Sequence, residues 1–518
     1  MGRRPRRRTG TGALTVGETG ASGAIVGVLV FYFLVLIGIG WWASRESRSV
    51  SGFYLAGKKL PSWVIAFSSN TTGESGWLLL GLTGMGYLVG FHALWVVLGE
   101  VIGVALAWTL VARPFKEYTD RYDAITVPDY LSDRFRDPAH AIRIVSALII
   151  FSMVWAYTAA QLTASGKAFS SFLGTSYEGG VLIGAAVIFL YTSIGGFKAV
   201  AYSDVLQGVL MFLCLLVLPI VGIWQAGGWG ETMAAIAAAD PALLRPMGEH
   251  GMSVMGVMSA ISFVGIGLAF LGAPQLLTRF MSARDRGQIS EGGVIAVACI
   301  IVFDIGAVLT GVAGRVLFPG LGDPETVLPV MSTELFPAIV AGVILVVVLA
   351  AIMSTVDSLL ILASSAVVRD TVQKVFRPDF SDRRLALIGR GLTVVIGLGG
   401  LAVALPESRM IFWFVLFAWS GLASAFTPVV LCSLFWRGTT RAGALAGMIA
   451  GFATAVLWVL VVKEHFYDLY EMIPGFAAGF VVTIVVSLKT KPPPGAAEEM
   501  DDVKRVVGGP FTRARSGG

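Results

Sequence analysis

Apolar runs of about twenty residues, long enough as helices to cross a hydrocarbon core roughly 30 Å thick, recur along this chain from Ala24 to Leu488 with only short polar breaks. Lipid offers no partner to an exposed backbone, so a spanning chain closes its hydrogen bonds within helices or within a sealed barrel. The runs fall at 24–43, 63–88, 93–112, 142–166, 179–195, 203–225, 253–273, 291–314, 338–366, 386–405, 410–435, 442–462 and 472–488. They predict an all-α polytopic membrane protein with about thirteen transmembrane helices, counting one per run of roughly twenty residues. An odd number puts the two ends on opposite sides.

The composition agrees: 56% of the 518 residues are hydrophobic and only 14% charged, outside the range of soluble globular proteins. Most of the 38 Lys and Arg cluster in the segments that share a side with the C-terminal tail. Cytoplasmic loops carry such an excess, so the tail is expected in the cytoplasm of a multi-pass protein of the cell membrane. Arg3, Arg4, Arg6, Arg7 and Arg8 oppose this locally. The net charge of +5 is spread between membrane segments rather than gathered on one face, which argues against a nucleic-acid partner. Residues 1–23 and 489–518 are polar, Gly- and Pro-containing, and expected to be disordered tails flanking one transmembrane domain at 24–488. Cys214, Cys299 and Cys432 lie in apolar runs without metal-binding spacing, and no catalytic order of Ser, His and Asp is present, so an enzyme is not expected. No obligate protein partner is evident; the bilayer and a small solute are the expected partners.

One stretch breaks the apolar pattern at bilayer depth, Asn70-Thr71-Thr72-Gly73-Glu74-Ser75-Gly76-Trp77. A carboxylate, three hydroxyls and two glycines there fit an unwound helix facing a cavity or an ion. The competing reading is a small-residue helix packed closely against its neighbours. Glu100, Asp204, Asp304 and Asp357 also fall in or beside apolar runs, where each carboxylate costs about 2.5–3.5 kcal/mol at the bilayer centre and marks an ion or proton path by default. For Asp204, after Tyr202-Ser203, a simple helix cap is the alternative.

A second polar patch is Ala351-Ile352-Met353-Ser354-Thr355. The hydroxyls of Ser354 and Thr355 with the carbonyl of Ala351 offer a hard cation three oxygens, fewer than it needs, and the free carbonyls near Thr71 to Glu74 are the natural complement. Alternatively, both hydroxyls bond back within their own helix. Trp77, Tyr157 and Phe270 are candidate walls of a small-solute pocket, against the commoner role of packing.

The strings Ser75-Gly76-Trp77-Leu78-Leu79, Thr126-Val127-Pro128-Asp129-Tyr130, Ile194-Gly195-Gly196-Phe197, Arg279-Phe280-Met281, Met353-Ser354-Thr355 and Gly443-Ala444-Leu445-Ala446-Gly447-Met448 occur in this order. Together they resemble the sodium:solute symporter family, and its sodium/proline symporters in particular. The resemblance implies a leucine-transporter-like fold, an inverted repeat of five helices, with the second and seventh segments broken. It further implies sodium as the co-transported ion, held by the backbone of Thr71 and Glu74 with Ala351, Ser354 and Thr355. Ser75, Gly76, Trp77, Tyr157, Ile266, Phe270 and Pro274 would contact the solute, and Asp204 would lie on the ion's way out. Two features depart from that pattern: the proline symporters carry Asp where this chain has Gly73, next to Glu74, and Ile266 and Phe270 align with a pocket Trp and Tyr.

The expected function is therefore secondary active uptake of a small organic solute, proline or a similar amino acid, coupled to sodium. Proton coupling through Glu74 is the alternative ion. A membrane sensor with a transporter-like domain is a third reading, disfavoured by the short C-terminal tail.

Overall fold

The computed structural model describes residues 18–44, 50–192, 196–287, 289–376, 379–406 and 410–508. The N-terminal arginine cluster and the stretch 509–518 lie outside them. Within them the chain is helical between its turns, as the apolar pattern requires. The helices are α1 (Glu18–Ser44), α2 (Ser62–Gly76), α3 (Leu94–Leu106), α4 (Ala112–Arg121), α5 (Val127–Arg134), α6 (Ala141–Leu173), α7 (Tyr177–Thr192) and α8 (Phe197–Gln225). There follow α9 (Val254–Gly265), α10 (Pro274–Met281), α11 (Ile289–Leu317), α12 (Ala338–Ser364), α13 (Asp382–Ala404), α14 (Ile411–Phe435), α15 (Arg441–Leu457), α16 (Met472–Leu488) and α17 (Ala496–Val507), with shorter turns between some of them.

Among the described residues, ten helical stretches are long and apolar enough to cross a membrane. The longest, Ser62–Arg121, contains two of the expected segments. It breaks between them at Gly90, whose φ of 58° glycine adopts without strain. The expected segments at 179–195 and 472–488 correspond to the shorter α7 and α16. Burial separates centre from rim. The apolar windows of α12 and α14 are 83% and 89% buried, those of α1 and α15 only 28% and 22%, so the first pair forms the middle of the bundle and the second pair faces lipid.

Two helices are interrupted where the glycines foretold it. α2 departs from helical geometry at Ser75, and α9 passes at Gly265 into a 3₁₀ turn, Ile266–Leu271, before α10 begins at Pro274. Proline suits that first helical position, where its missing N–H costs nothing. The second break sits on α3 in backbone contact: a Cβ on Gly267 would come within 1.8 Å of the Gly99 carbonyl oxygen, and one on Gly103 within 2.1 Å of that of Gly267. Only glycine permits this crossing, the small-residue packing by which membrane helices approach most closely.

The region expected as a disordered tail at 489–518 differs. Residues 489–508 are ordered, and 496–507 form α17. Ala496, Met500 and Val503 are buried on one stripe of it, at the spacing of an amphipathic helix. Its acids meet bases of the loops beneath: Glu499 lies 3.0 Å from Arg136, 3.8 Å from Arg134 and 2.6 Å from the Tyr122 hydroxyl, and Asp502 lies 3.5 Å from Arg121. Burial, and then the hydrogen bond to Glu499, push the Tyr122 phenol up. Charge and proline around a short apolar stripe conceal it from composition. At the other end α1 begins at Glu18, six residues before the expected segment.

Candidate functional site

The break in α2 follows from its sequence. Ser75 holds φ 56° and ψ −167°, a conformation unfavourable for any residue but glycine, which persists only where its surroundings impose it. Here a side chain of α6 does so. Gln161 accepts the Gly76 N–H at 3.1 Å and donates its amide to Ser75 Oγ at 3.2 Å, while Trp77 N–H donates to the same hydroxyl at 3.1 Å. Gly76 has no room for a side chain, since a Cβ would lie 2.8 Å from Ile352 of α12. The unwound turn is thus clamped between α6 and α12.

The two polar patches, 283 residues apart from Thr71 to Ser354 and neighbours in space, meet here. Ser354 Oγ lies 3.1 Å from the Thr71 carbonyl oxygen and 2.9 Å from that of Ala351, and Thr355 Oγ1 donates to the Thr72 carbonyl at 3.1 Å. Back-bonding within α12 and bridging to α2 therefore coexist. The donor set is all oxygen, from carbonyls and hydroxyls, which is the chemistry of a hard cation. Thr71, Ala351 and Ser354 are gathered around one hydroxyl, and Thr355 is one residue along. Glu74 stands apart: its carbonyl accepts Trp77 N–H, and its carboxylate lies with those of Glu100 and Asp304.

The candidate solute residues are enclosed. Trp77, Tyr157, Ile266 and Phe270 are each 3% exposed or less, and Ser75, Gly76 and Pro274 are buried. Trp77 stacks on Phe412 with ring centres 5.4 Å apart, and Phe270 meets Trp419 edge-on at the same distance. Trp419 in turn donates its ring N–H to the Ile266 carbonyl at 3.3 Å. Gly73 faces Phe270, and a Cβ at 73 would come 3.0 Å from the ring. A side chain here requires the Phe270 ring to give by a few tenths of an ångström, so position 73 and the ring at 270 are in direct contact. Trp77 Nε1 and both amide atoms of Gln275, next to Pro274, are buried without a hydrogen-bond partner among the described residues.

Asp204 is not a cap. It sits a full two turns into α8, whose N-cap is Gly196, and is wholly buried. Its Oδ2 accepts from Ser68 Oγ at 2.6 Å and lies 3.4 Å from Arg279 Nη2. Arg279, 1% exposed, also donates to Thr72 Oγ1 at 2.7 Å and to Ser358 Oγ, tying α2, α8, α10 and α12 together. Sequence reasoning misses Gln161 and Arg279. Gln161 carries a usable signal, an amide four residues beyond Tyr157 in an apolar helix. Arg279 reads as a loop charge, because no pattern distinguishes a buried arginine behind a helix break from one at the water boundary.

Broken helices packed against a continuous central pair define a class: helical secondary transporters with an ion site at the unwound turns. The sodium:solute symporter family matches residues 53–451. A high-affinity proline transporter, PutP, of Bacillus subtilis (strain 168) is 36% identical over 466 residues, which cover 89% of this chain and 97% of that protein. A sodium/proline symporter of Staphylococcus aureus (strain JH9) is 34% identical over 488 residues, 92% of this chain and 94% of that one. This chain belongs to the sodium:solute symporter family, and it is a membrane transporter rather than an enzyme. Its fold is that of a Na+-coupled sialic acid symporter of known structure, with a TM-score of 0.76 at 18% identity over 90% of this chain and 98% of that one. The leucine-transporter-like architecture expected from the motifs is the one found.

Proposed function

We propose that this protein takes up proline, or an amino acid closely similar to it, across the cell membrane by symport with sodium. The observation that carries the reading is the joining of Thr71 and Thr72 on the unwound turn to Ser354 and Thr355 on α12 by 3.1 Å contacts. An ion among those oxygens bridges the broken helix to the central one, so its arrival stiffens the turn whose next residues, Ser75 to Trp77, face the solute. Ion and solute then favour the same arrangement, which is what coupling requires. Trp77 Nε1 and the Gln275 amide, buried without a partner among the described residues, are the donors we assign to a solute carboxylate. With a potential negative inside, each co-transported charge adds about 2.3 kcal/mol per 100 mV to accumulation. The ion leaves inward past Asp204. The tail lies in the cytoplasm, consistent with the basic loops to which α17 docks.

The test is uptake of radiolabelled proline into proteoliposomes under an imposed sodium gradient. Ser354→Ala with Thr355→Ala is expected to raise the sodium concentration for half-maximal uptake at least tenfold, with membrane insertion unchanged. Uptake by the wild type that ignores sodium and follows a proton gradient would replace this reading by proton coupling. In that second reading the Glu74 carboxylate, set beside those of Glu100 and Asp304, would carry the proton.

A further inference from the structure

Three carboxylates converge within the membrane domain. Glu74 precedes the break in α2, Glu100 lies in the middle of α3, and Asp304 lies in the middle of α11; one oxygen of each falls within 4.8 Å of the others. All three residues are 2% exposed or less. No donor reaches either oxygen of Glu74, either oxygen of Asp304, or Oε2 of Glu100, and no ion pair with a basic side chain serves any of the three among the described residues. Buried oxygens of this kind are ordinarily hydrogen-bonded, and buried charges are paired or coordinate metals.

The backbone leaves these groups little freedom to separate. α3 is fixed against the second break by the Gly99, Gly103 and Gly267 contacts on either side of Glu100. α11 is fixed against α8 beside Asp304, where a Cβ on Gly306 would reach 2.1 Å from the Leu215 carbonyl oxygen. α2 is tied to α11 by Asn70, whose amide donates to the Ala296 carbonyl at 2.6 Å. Repulsion between three carboxylates held this way is relieved by a counter-charge placed among them.

We infer that Glu74, Glu100 and Asp304 form a cation site separate from the Thr71, Ala351, Ser354 and Thr355 group, one that takes a hard cation of sodium or calcium size. The three oxygens lie within 4.8 Å of one another, close to the separation of about 4.0–4.5 Å that three oxygens have around one hard cation bound at about 2.3–2.6 Å, so small side-chain shifts bring one ion into contact with all three carboxylates. A set with no nitrogen or sulfur ligand excludes the transition metals that prefer them. Such an ion joins α2, immediately before its unwound turn, to α3 and α11. The aspartate missing at position 73 is thereby not simply moved by one residue, because the Glu74 carboxylate serves a different set of helices.

The inference does not require proline to be the solute and is tested without flux. Equilibrium binding of ²²Na⁺ and of ⁴⁵Ca²⁺ is measured on the purified full-length protein in detergent. Ser354→Ala/Thr355→Ala is expected to retain saturable binding of at least one of the two ions. Adding Glu100→Gln/Asp304→Asn, which keeps side-chain size and leaves Glu74 in place, abolishes it. Glu100→Gln added to Ser354→Ala/Thr355→Ala, the variant to use should the larger combination fail to purify, weakens that binding at least tenfold. Binding by this triple variant at the level of Ser354→Ala/Thr355→Ala overturns the inference, and so does loss of binding of both ions in Ser354→Ala/Thr355→Ala, the result that a site taking protons alone gives.

Discussion

At the scale of single residues the site is decided by contacts of a few atoms. Gly73→Asp places a side chain where the Phe270 ring already stands 3.0 Å from the built Cβ. The single variant is expected to raise the KM for proline uptake at least fivefold, and Gly73→Asp/Phe270→Leu to recover most of the loss. Equal uptake by the single variant and the wild type would mean that the ring yields without cost. Gln161→Leu removes the partner of the Gly76 N–H and of Ser75 Oγ together. Leaving a buried polar group unsatisfied costs about 1–3 kcal/mol, so a lower Tm in detergent is expected, accompanied by a fall in uptake at saturating solute. Ser354 and Thr355 were open to two readings in the sequence, an ion site or back-bonding within their own helix, because adjacent hydroxyls also occur at Ser68-Ser69 and Ser364-Ser365. Gln161 was harder to see, since its importance lies in what it holds, a serine with left-handed φ whose conformation no residue pattern announces.

Elements divide differently. Both helix breaks were legible, because glycine and polar residues at bilayer depth are costly unless the chain there lines a cavity or holds an ion. The ties between elements were not. Lys167 of α6 lies 2.7 Å from Glu325 and 2.8 Å from Asp323, and Glu325, wholly buried, also accepts the N–H groups of Ile411 and Phe412 at the start of α14. A carboxylate at a helix N-terminus is favoured by the helix dipole. Through Phe412, stacked on Trp77, this network reaches the wall of the solute site. Lys167→Met strands a buried carboxylate, a change that typically costs about 3–5 kcal/mol. The expected result is a large fall in Tm that added salt does not offset, since a buried pair is screened far less than one on the surface. In the sequence Lys167 and Glu325 lie in a helix and a loop 158 residues apart, and acidic residues in a loop speak only of sidedness.

For the whole molecule, apolar runs of about twenty residues carried the helical membrane class, whereas the arrangement of the helices came from the resemblance of the motifs to the sodium:solute symporters and not from the pattern of the runs. Polar composition gave the opposite lesson at 489–508, where a stripe of three buried residues was enough to order what looked like a tail. Met500→Asp puts a charge into that stripe and is expected to make α17 cleavable by trypsin at Lys504 under conditions in which the wild type resists. An unchanged digestion pattern would mean that its ion pairs alone hold it. The partners of α17 lie far back in the chain, 363 residues before Glu499 in the case of Arg136. During synthesis the segment emerges after every helix between, and it docks where the end of α4, Tyr122 and the end of α5 already lie together. Resistance to trypsin at Lys504 is therefore expected to appear only once the segments that α17 touches are in place, late in assembly.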